Sequence, residues 1–446
     1  VPLLEVVMAV KNMMKKSALL ITLFVSSSVV LATPAIQSWQ TANGAKVLFV
    51  PAPEIPMLDL RIVFDAGSAR SVYKAGLSGL TNAMLSESVG EWSADQVAER
   101  LESVGASLST GARRDMAWLG VRSLTEERAL SVALETLTAM LAEPQFAQAD
   151  MERLRKMMLV GLSRSEQSPS SVAGKAFSKQ LFGDHPYASD PAGTPESIKA
   201  ISRDDLVRFH NRYYVGNNAI IAITGAIDRQ RAEKIAEQII GQLPAGQAAA
   251  KLPNVAKLEK AHEMRIEFPS SQSHILLGQP GMKRGDPDYF VLYVGNHILG
   301  GSGLVSILSD EVREKRGLSY SAYSYFAPMR QYGQFQMGLQ TKTSQVDEAL
   351  QVLRNTLQHY IDNGPTDDQL KAAKENITGG FPLRIASNSK IVEYLTMIGF
   401  YGLPLDYLDR FTRQVEAVTA ADIKKAFARR LDPQRLVTVV VGQQAE

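Results

Sequence analysis

An internal echo limits the possible folds of this chain more than any other feature. Asp204-Asp205-Leu206-Val207-Arg208-Phe209 returns as Ala421-Asp422-Ile423-Lys424-Lys425-Ala426-Phe427, and the stretch from Asn218 to Gly225 returns as Gln434 to Gly442. In both copies a helix with an acidic start leads into an apolar strand that stops at glycine. A repeated order of this kind calls for two similar units. Between them, Leu243 to Lys260 is rich in Ala, Pro and Gln and reads as a linker. The reading therefore places one domain at 36–242, a linker at 243–262 and a second domain at 263–446.

Within the first unit, an Asn43-Gly44 turn enters a strand at Lys46 to Val50, and Leu58 to Phe64 reads as another. Helical patterns follow at 76–88 and 93–104, strands at 107–110 and 117–123, then helices at 126–141 and 148–164. Strands and helices without regular alternation predict an α+β layer, an antiparallel sheet with helices packed on it, and not a doubly wound parallel sheet.

Composition narrows the function classes. The chain has 446 residues and is 45% hydrophobic, ample for sizeable cores. Its 48 basic and 46 acidic side chains leave a net charge of only +2, with no basic block interleaved with aromatics, which argues against nucleic acid as a partner. Cysteine is absent, excluding thiolate nucleophiles, disulfides and Cys-ligated metals. At the N-terminus, Lys11, Lys15 and Lys16 precede the apolar run Ser17 to Ala32, which ends Val30-Leu31-Ala32 before Thr33-Pro34. The run is short for a membrane span and closes on a small residue, so residues 1–32 read as a secretory signal peptide. The mature chain is then expected to be periplasmic or otherwise secreted, without stable membrane insertion.

The stretch most informative about chemistry is Leu299 to Phe326. Leu304, Ile307, Leu308 and Val312 fall at helical spacing, predicting one amphipathic helix over 302–315, with Gly317 as its stop. Alternation from Ser319 to Phe326 then predicts a strand that Tyr320 opens. This would put the Arg313 guanidinium and the Tyr320 phenol on one helix-turn-strand corner. By spacing alone, the pair reads first as an exposed helix-terminal Arg beside a Tyr packed at a sheet edge.

The run Leu299-Gly300-Gly301 followed by Glu311-Val312-Arg313-Glu314-Lys315-Arg316-Gly317-Leu318-Ser319-Tyr320 resembles the insulinase/pitrilysin (inverzincin) family of zinc metallopeptidases. His185-Pro186-Tyr187, Gly193-Thr194 and Asn217 to Asp228 support the likeness, which extends from about Trp39 to Gly442. The resemblance implies two similar α+β domains joined as a clamshell half. It also implies that Arg313 and Tyr320 form a substrate-binding corner, donating hydrogen bonds to a peptide carbonyl and to the oxyanion formed from it.

The chain departs from the family at the metal site. Members that cut peptides carry H-x-x-E-H on a first-domain helix, and the matching ligand positions here are Gly79 and Ala83, with Asn82 at the base position. The further carboxylate positions match Gly161 and Leu154. Glycine and alanine offer zinc no donor atom, and an amide has no useful basicity. The six histidines are dispersed, with no two within four residues.

The resemblance thus implies a non-catalytic subunit that binds no metal itself. It would be inactive alone and active only with a homologous zinc-bearing partner, handling unfolded peptides. The alternative is a structural, assembly or peptide-binding protein of the same fold with no role in proteolysis. Small residues at 79 and 83 are further expected to leave space for a neighbour from the other domain or another chain.

Overall fold

The computed structural model describes residues 35–443; the expected signal peptide lies outside them. The strands are β1 (Gln37–Gln40), β2 (Lys46–Pro51), β3 (Met57–Phe64), β4 (Ser107–Ala112), β5 (Ala117–Leu124), β6 (Ala219–Gly225), β7 (His262–Glu267), β8 (Gln272–Pro280), β9 (Ala322–Phe326), β10 (Gln334–Lys342) and β11 (Val437–Gly442). They form two sheets with the orders β1-β2-β6-β3-β5-β4 and β7-β11-β8-β10-β9. Apart from the extra edge strand β1, the two orders are the same.

The echoed segments occupy equivalent places. β6 runs parallel to β2 and antiparallel to β3, while β11 runs parallel to β7 and antiparallel to β8. Each sheet is therefore antiparallel except for this one pair. β6 and β11 lie inside their sheets and are almost wholly buried, which is why both read as continuous apolar runs. The helices before them start alike. Ser202 and Asp205 form a capping box on Arg203–Tyr213, and Thr419 and Asp422 form one on Ala420–Arg430.

The two halves exchange helices. Pro169–Phe182, from the first half, packs on β8 and β11 of the second sheet, whereas Asn388–Tyr401, from the second half, packs on β2, β3 and β6 of the first. Both contacts use glycine to bring backbone close to side chain. A Cβ on Gly278 would lie 2.9 Å from Phe177 Cζ, and one on Gly399 would lie 2.5 Å from Ile220 Cγ2 and 2.7 Å from Leu48 Cδ1. Phe177, Leu181 and Tyr187 accordingly share a core with Val437, Val439 and Val441.

A buried carboxylate fastens the same junction. Asp115, in the β4–β5 turn, is 4% exposed. It accepts hydrogen bonds from the Tyr187 hydroxyl at 2.5 Å, the Arg330 backbone N–H at 2.8 Å and the Tyr401 hydroxyl at 3.0 Å. Residues 244–261 have no regular secondary structure, yet they are strapped to both halves. Arg70 donates to the Ala250 carbonyl, His185 Nε2 lies 2.9 Å from the Pro253 carbonyl, and Gln331 donates to that of Leu252. Leu252 and Val255 are buried. Among the described residues no helix is long and apolar enough to cross a membrane.

Candidate functional site

The corner over 299–326 is built differently from its sequence pattern. A single helix over 302–315 is not formed. Gly303 takes a left-handed φ of 67°, Ser306 caps a short helical turn at Ile307–Ser309 by accepting the Ser309 N–H, and Asp310–Glu314 continues as a π-helical turn. Leu308 and Val312 are fully buried, but Leu304 falls before the cap and is 62% exposed. Gly317 does stop the helix, at φ 61°. Its N–H reaches the Arg313 carbonyl and that of Leu318 reaches Val312, each at 2.9 Å. This is a glycine stop widened by one residue to match the π turn.

Tyr320 does not open the strand, since β9 begins at Ala322. The Ser319 hydroxyl donates to the Ser321 carbonyl and accepts the Ser321 N–H, folding the chain locally before the ladder starts. Tyr320 is left 87% exposed. It lines a cleft of about 380 Å³ whose walls come from both halves: Ser170, Gly174 and Ser178 on the Pro169–Phe182 helix, and side chains of β8, β9 and β10. Arg313 is outside this lining; its half-buried guanidinium lies 3.6 Å from the Glu314 carboxylate.

The cleft wall also holds residues that sequence reading left unassigned. Tyr323 and Tyr325 stack at 6.0 Å with an interplanar angle of 15°. Gln334 Nε2 donates to the Tyr325 hydroxyl at 2.8 Å and to Gln336 Oε1 at 3.0 Å, and Gln336 Nε2 donates to the Tyr323 hydroxyl at 3.4 Å. Gly338, opposite Tyr323 in the register, makes room for this arrangement, because a Cβ there would lie 2.5 Å from the Tyr323 hydroxyl. Alternation along β9 and β10 was the signal that could have placed the four side chains on one face.

The positions matching the family's metal ligands diverge in use. Gly79, Asn82 and Ala83 all lie on the Leu77–Met84 helix, in contact with the Gln148–Glu166 helix that carries Leu154 and Gly161. Asn82 is 2% exposed and each of its polar side-chain atoms has a partner: Nδ2 donates to the Trp118 carbonyl at 3.3 Å, and Oδ1 accepts from the Tyr214 hydroxyl at 3.0 Å. Gly79 and Ala83 are half-buried, Gly161 is exposed and Leu154 packs against the first-half core. Among the described residues no group of three or more His, Cys, Asp or Glu side chains is placed to hold a metal. A side-chain carboxamide, a methyl and a hydrogen at Asn82, Ala83 and Gly79 do not fit zinc.

Among the described residues no neighbour from the other half fills the space beside Gly79: a Cβ there would meet only the Pro191 carbonyl oxygen, at 3.9 Å, and one on Gly161 would meet nothing within 4 Å. Gly79→Ala is therefore expected to stabilise the isolated chain by up to about 1 kcal/mol, from helix propensity alone. A urea melt checks this, and a loss of stability would show that the space is used within the chain.

Comparison with known proteins agrees with this geometry. Residues 46–194 match the family described as Insulinase (Peptidase family M16), and residues 200–377 match the one described as Peptidase M16 inactive domain. A crystal structure of a peptidase M16 inactive domain from Pseudomonas fluorescens is 40% identical, with a TM-score of 0.89, over 92% of this chain and 98% of that one. The chain belongs to peptidase family M16. Among further M16-like relatives, a non-peptidase homolog from Helicobacter pylori is 26% identical over 91% of this chain and 93% of its own length. An uncharacterized zinc protease of Streptomyces coelicolor is 26% identical over 78% of this chain and 77% of its own. A protease structure from Helicobacter pylori shares the M16 fold at TM-score 0.82 and 18% identity. Together these give the chain an M16 peptidase-like fold, with matches described both as an inactive domain or non-peptidase homolog and as a protease.

Proposed function

We propose that this M16 chain is the non-catalytic, substrate-binding subunit of an exported heterodimeric zinc peptidase. A homologous partner bearing H-x-x-E-H would supply the zinc. This chain would hold an unfolded peptide and offer the Tyr320 hydroxyl, with Arg313, to the carbonyl under attack. The observation that carries the reading is the exposed Tyr320 at the mouth of a tyrosine- and glutamine-lined cleft, in a chain whose own ligand positions hold glycine and alanine. Among the described residues the Tyr320 hydroxyl has no hydrogen-bond partner, which leaves it free to bond a substrate.

A second reading, an assembly role without proteolysis, draws on a different observation. Leu304 and Val305 are 62% and 86% exposed, an apolar tip suited to a protein contact. Reconstitution separates the two. The purified chain should hold no stoichiometric zinc and leave a quenched peptide uncut, and adding an H-x-x-E-H partner should produce cleavage that neither chain shows alone. Stoichiometric zinc in the lone chain overturns the proposal. A partner equally active without this chain leaves only the assembly role.

A further inference from the structure

The cleft that Tyr320 borders has one charged side chain in its lining that takes no part in the corner. Arg114 reaches it from the first half, between β4 and β5. Its Nε donates to the Tyr187 carbonyl at 2.9 Å and its Nη2 to the Ser178 hydroxyl at 3.0 Å, fixing the plane of the guanidinium. Among the described residues Nη1 has no acceptor and Arg114 no carboxylate within ion-pair distance. The neighbouring acids are already engaged: Asp115 by two tyrosine hydroxyls and a backbone N–H, and Asp190 by Lys175 at 3.3 Å.

Among the described residues no Asp or Glu lines the cleft. Burial lowers the pKa of His274, the other base in the lining, and so favours its neutral imidazole. Arg114 therefore supplies the cleft's positive charge. An oriented, partly desolvated guanidinium with a spare N–H is the recognition element for a carboxylate. The rest of the wall suits extended peptide: glutamine and serine side chains for backbone groups, and the Tyr323–Tyr325 stack for apolar side chains. The volume of about 380 Å³ falls within the roughly 300–1,000 Å³ typical of ligand sites.

We infer that this cleft selects peptides by a carboxylate, which Arg114 binds through its free N–H. The inference rests on the peptide-binding reading and adds the chemical class of peptide. The carboxylate is that of an Asp or Glu side chain or of the peptide's C-terminus.

Four N-terminally fluorescein-labelled peptides of one sequence test it, carrying Glu or Gln at one position and ending in a free acid or an amide. Anisotropy titrations with the full chain should show each carboxylate-bearing member the protein selects binding about tenfold or more tighter than the Gln amide. The Glu amide and the Gln acid tell side chain from terminus. Arg114→Gln should bring all four within about twofold of one another, and Arg114→Lys should keep part of the preference. Equal binding of all four by the wild-type chain overturns the inference while leaving peptide binding intact. A preference that survives Arg114→Gln also overturns it. Absence of binding by every peptide overturns both this inference and the peptide-binding reading. Because Arg114 also holds the Tyr187 carbonyl, the wild-type comparison is decisive even if the variants fail to fold.

Discussion

Tyr320→Phe, assayed in the presence of a zinc-bearing partner, is expected to lower kcat for a quenched peptide by about 10²-fold while changing KM much less. Loss of a single donor to a developing oxyanion has a cost of this order, and it falls on kcat because the bond strengthens in the transition state. Folding should be untouched: Tyr320 is 87% exposed and, among the described residues, its hydroxyl has no hydrogen-bond partner. The same variant should therefore melt like the parent, so any rate loss belongs to catalysis. Arg313→Ala tests the other half of the corner, where among the described residues the guanidinium has only the neighbouring Glu314 carboxylate, at 3.6 Å, to lose. An unchanged rate for both variants would make the corner structural and favour the assembly reading.

Asp115→Ala should be among the most destabilising single changes available, at about 3–5 kcal/mol by urea denaturation. The carboxylate is almost wholly buried and accepts three hydrogen bonds, two of them from Arg330 and Tyr401 in the second half. Removing it leaves two phenols and a backbone N–H without an acceptor. Asp115→Asn should cost less, since one amide oxygen still accepts, although its NH₂ must then face a donor. A loss below about 1 kcal/mol for the alanine variant would show that water or rearranged side chains satisfy those donors.

Much of the architecture was legible because it rests on local patterns. The echo of Asp204–Phe209 in Ala421–Phe427, and of the strands after them, became two sheets of matching order, since capping boxes and buried central strands leave plain marks in sequence. The corner was legible in outline only. Gly317 read correctly as a stop, but apolar spacing cannot distinguish an α turn from a π turn, and it drew Leu304 into a stripe that the left-handed Gly303 breaks. Tyr320 slipped out of its strand through a serine hydroxyl bonding to its own backbone, an effect that alternation does not register. The helix exchange and the placement of Arg114 beside β9 were invisible, because both depend on contacts between residues far apart in the chain.

The exchanged helices bear on how such a chain could be divided. With Pro169–Phe182 covering the second sheet and Asn388–Tyr401 covering the first, either half made alone would leave an apolar sheet face bare and carry an unpaired apolar helix. A protease that nicked the strap at 244–261 would consequently leave two fragments interlocked, and a gene split there would encode two polypeptides able to fold only in each other's company. The two halves cannot swing apart like leaves of a hinge without surrendering those helices. In the heterodimer proposed above, admission of a peptide would therefore be expected to come from movement between the two chains.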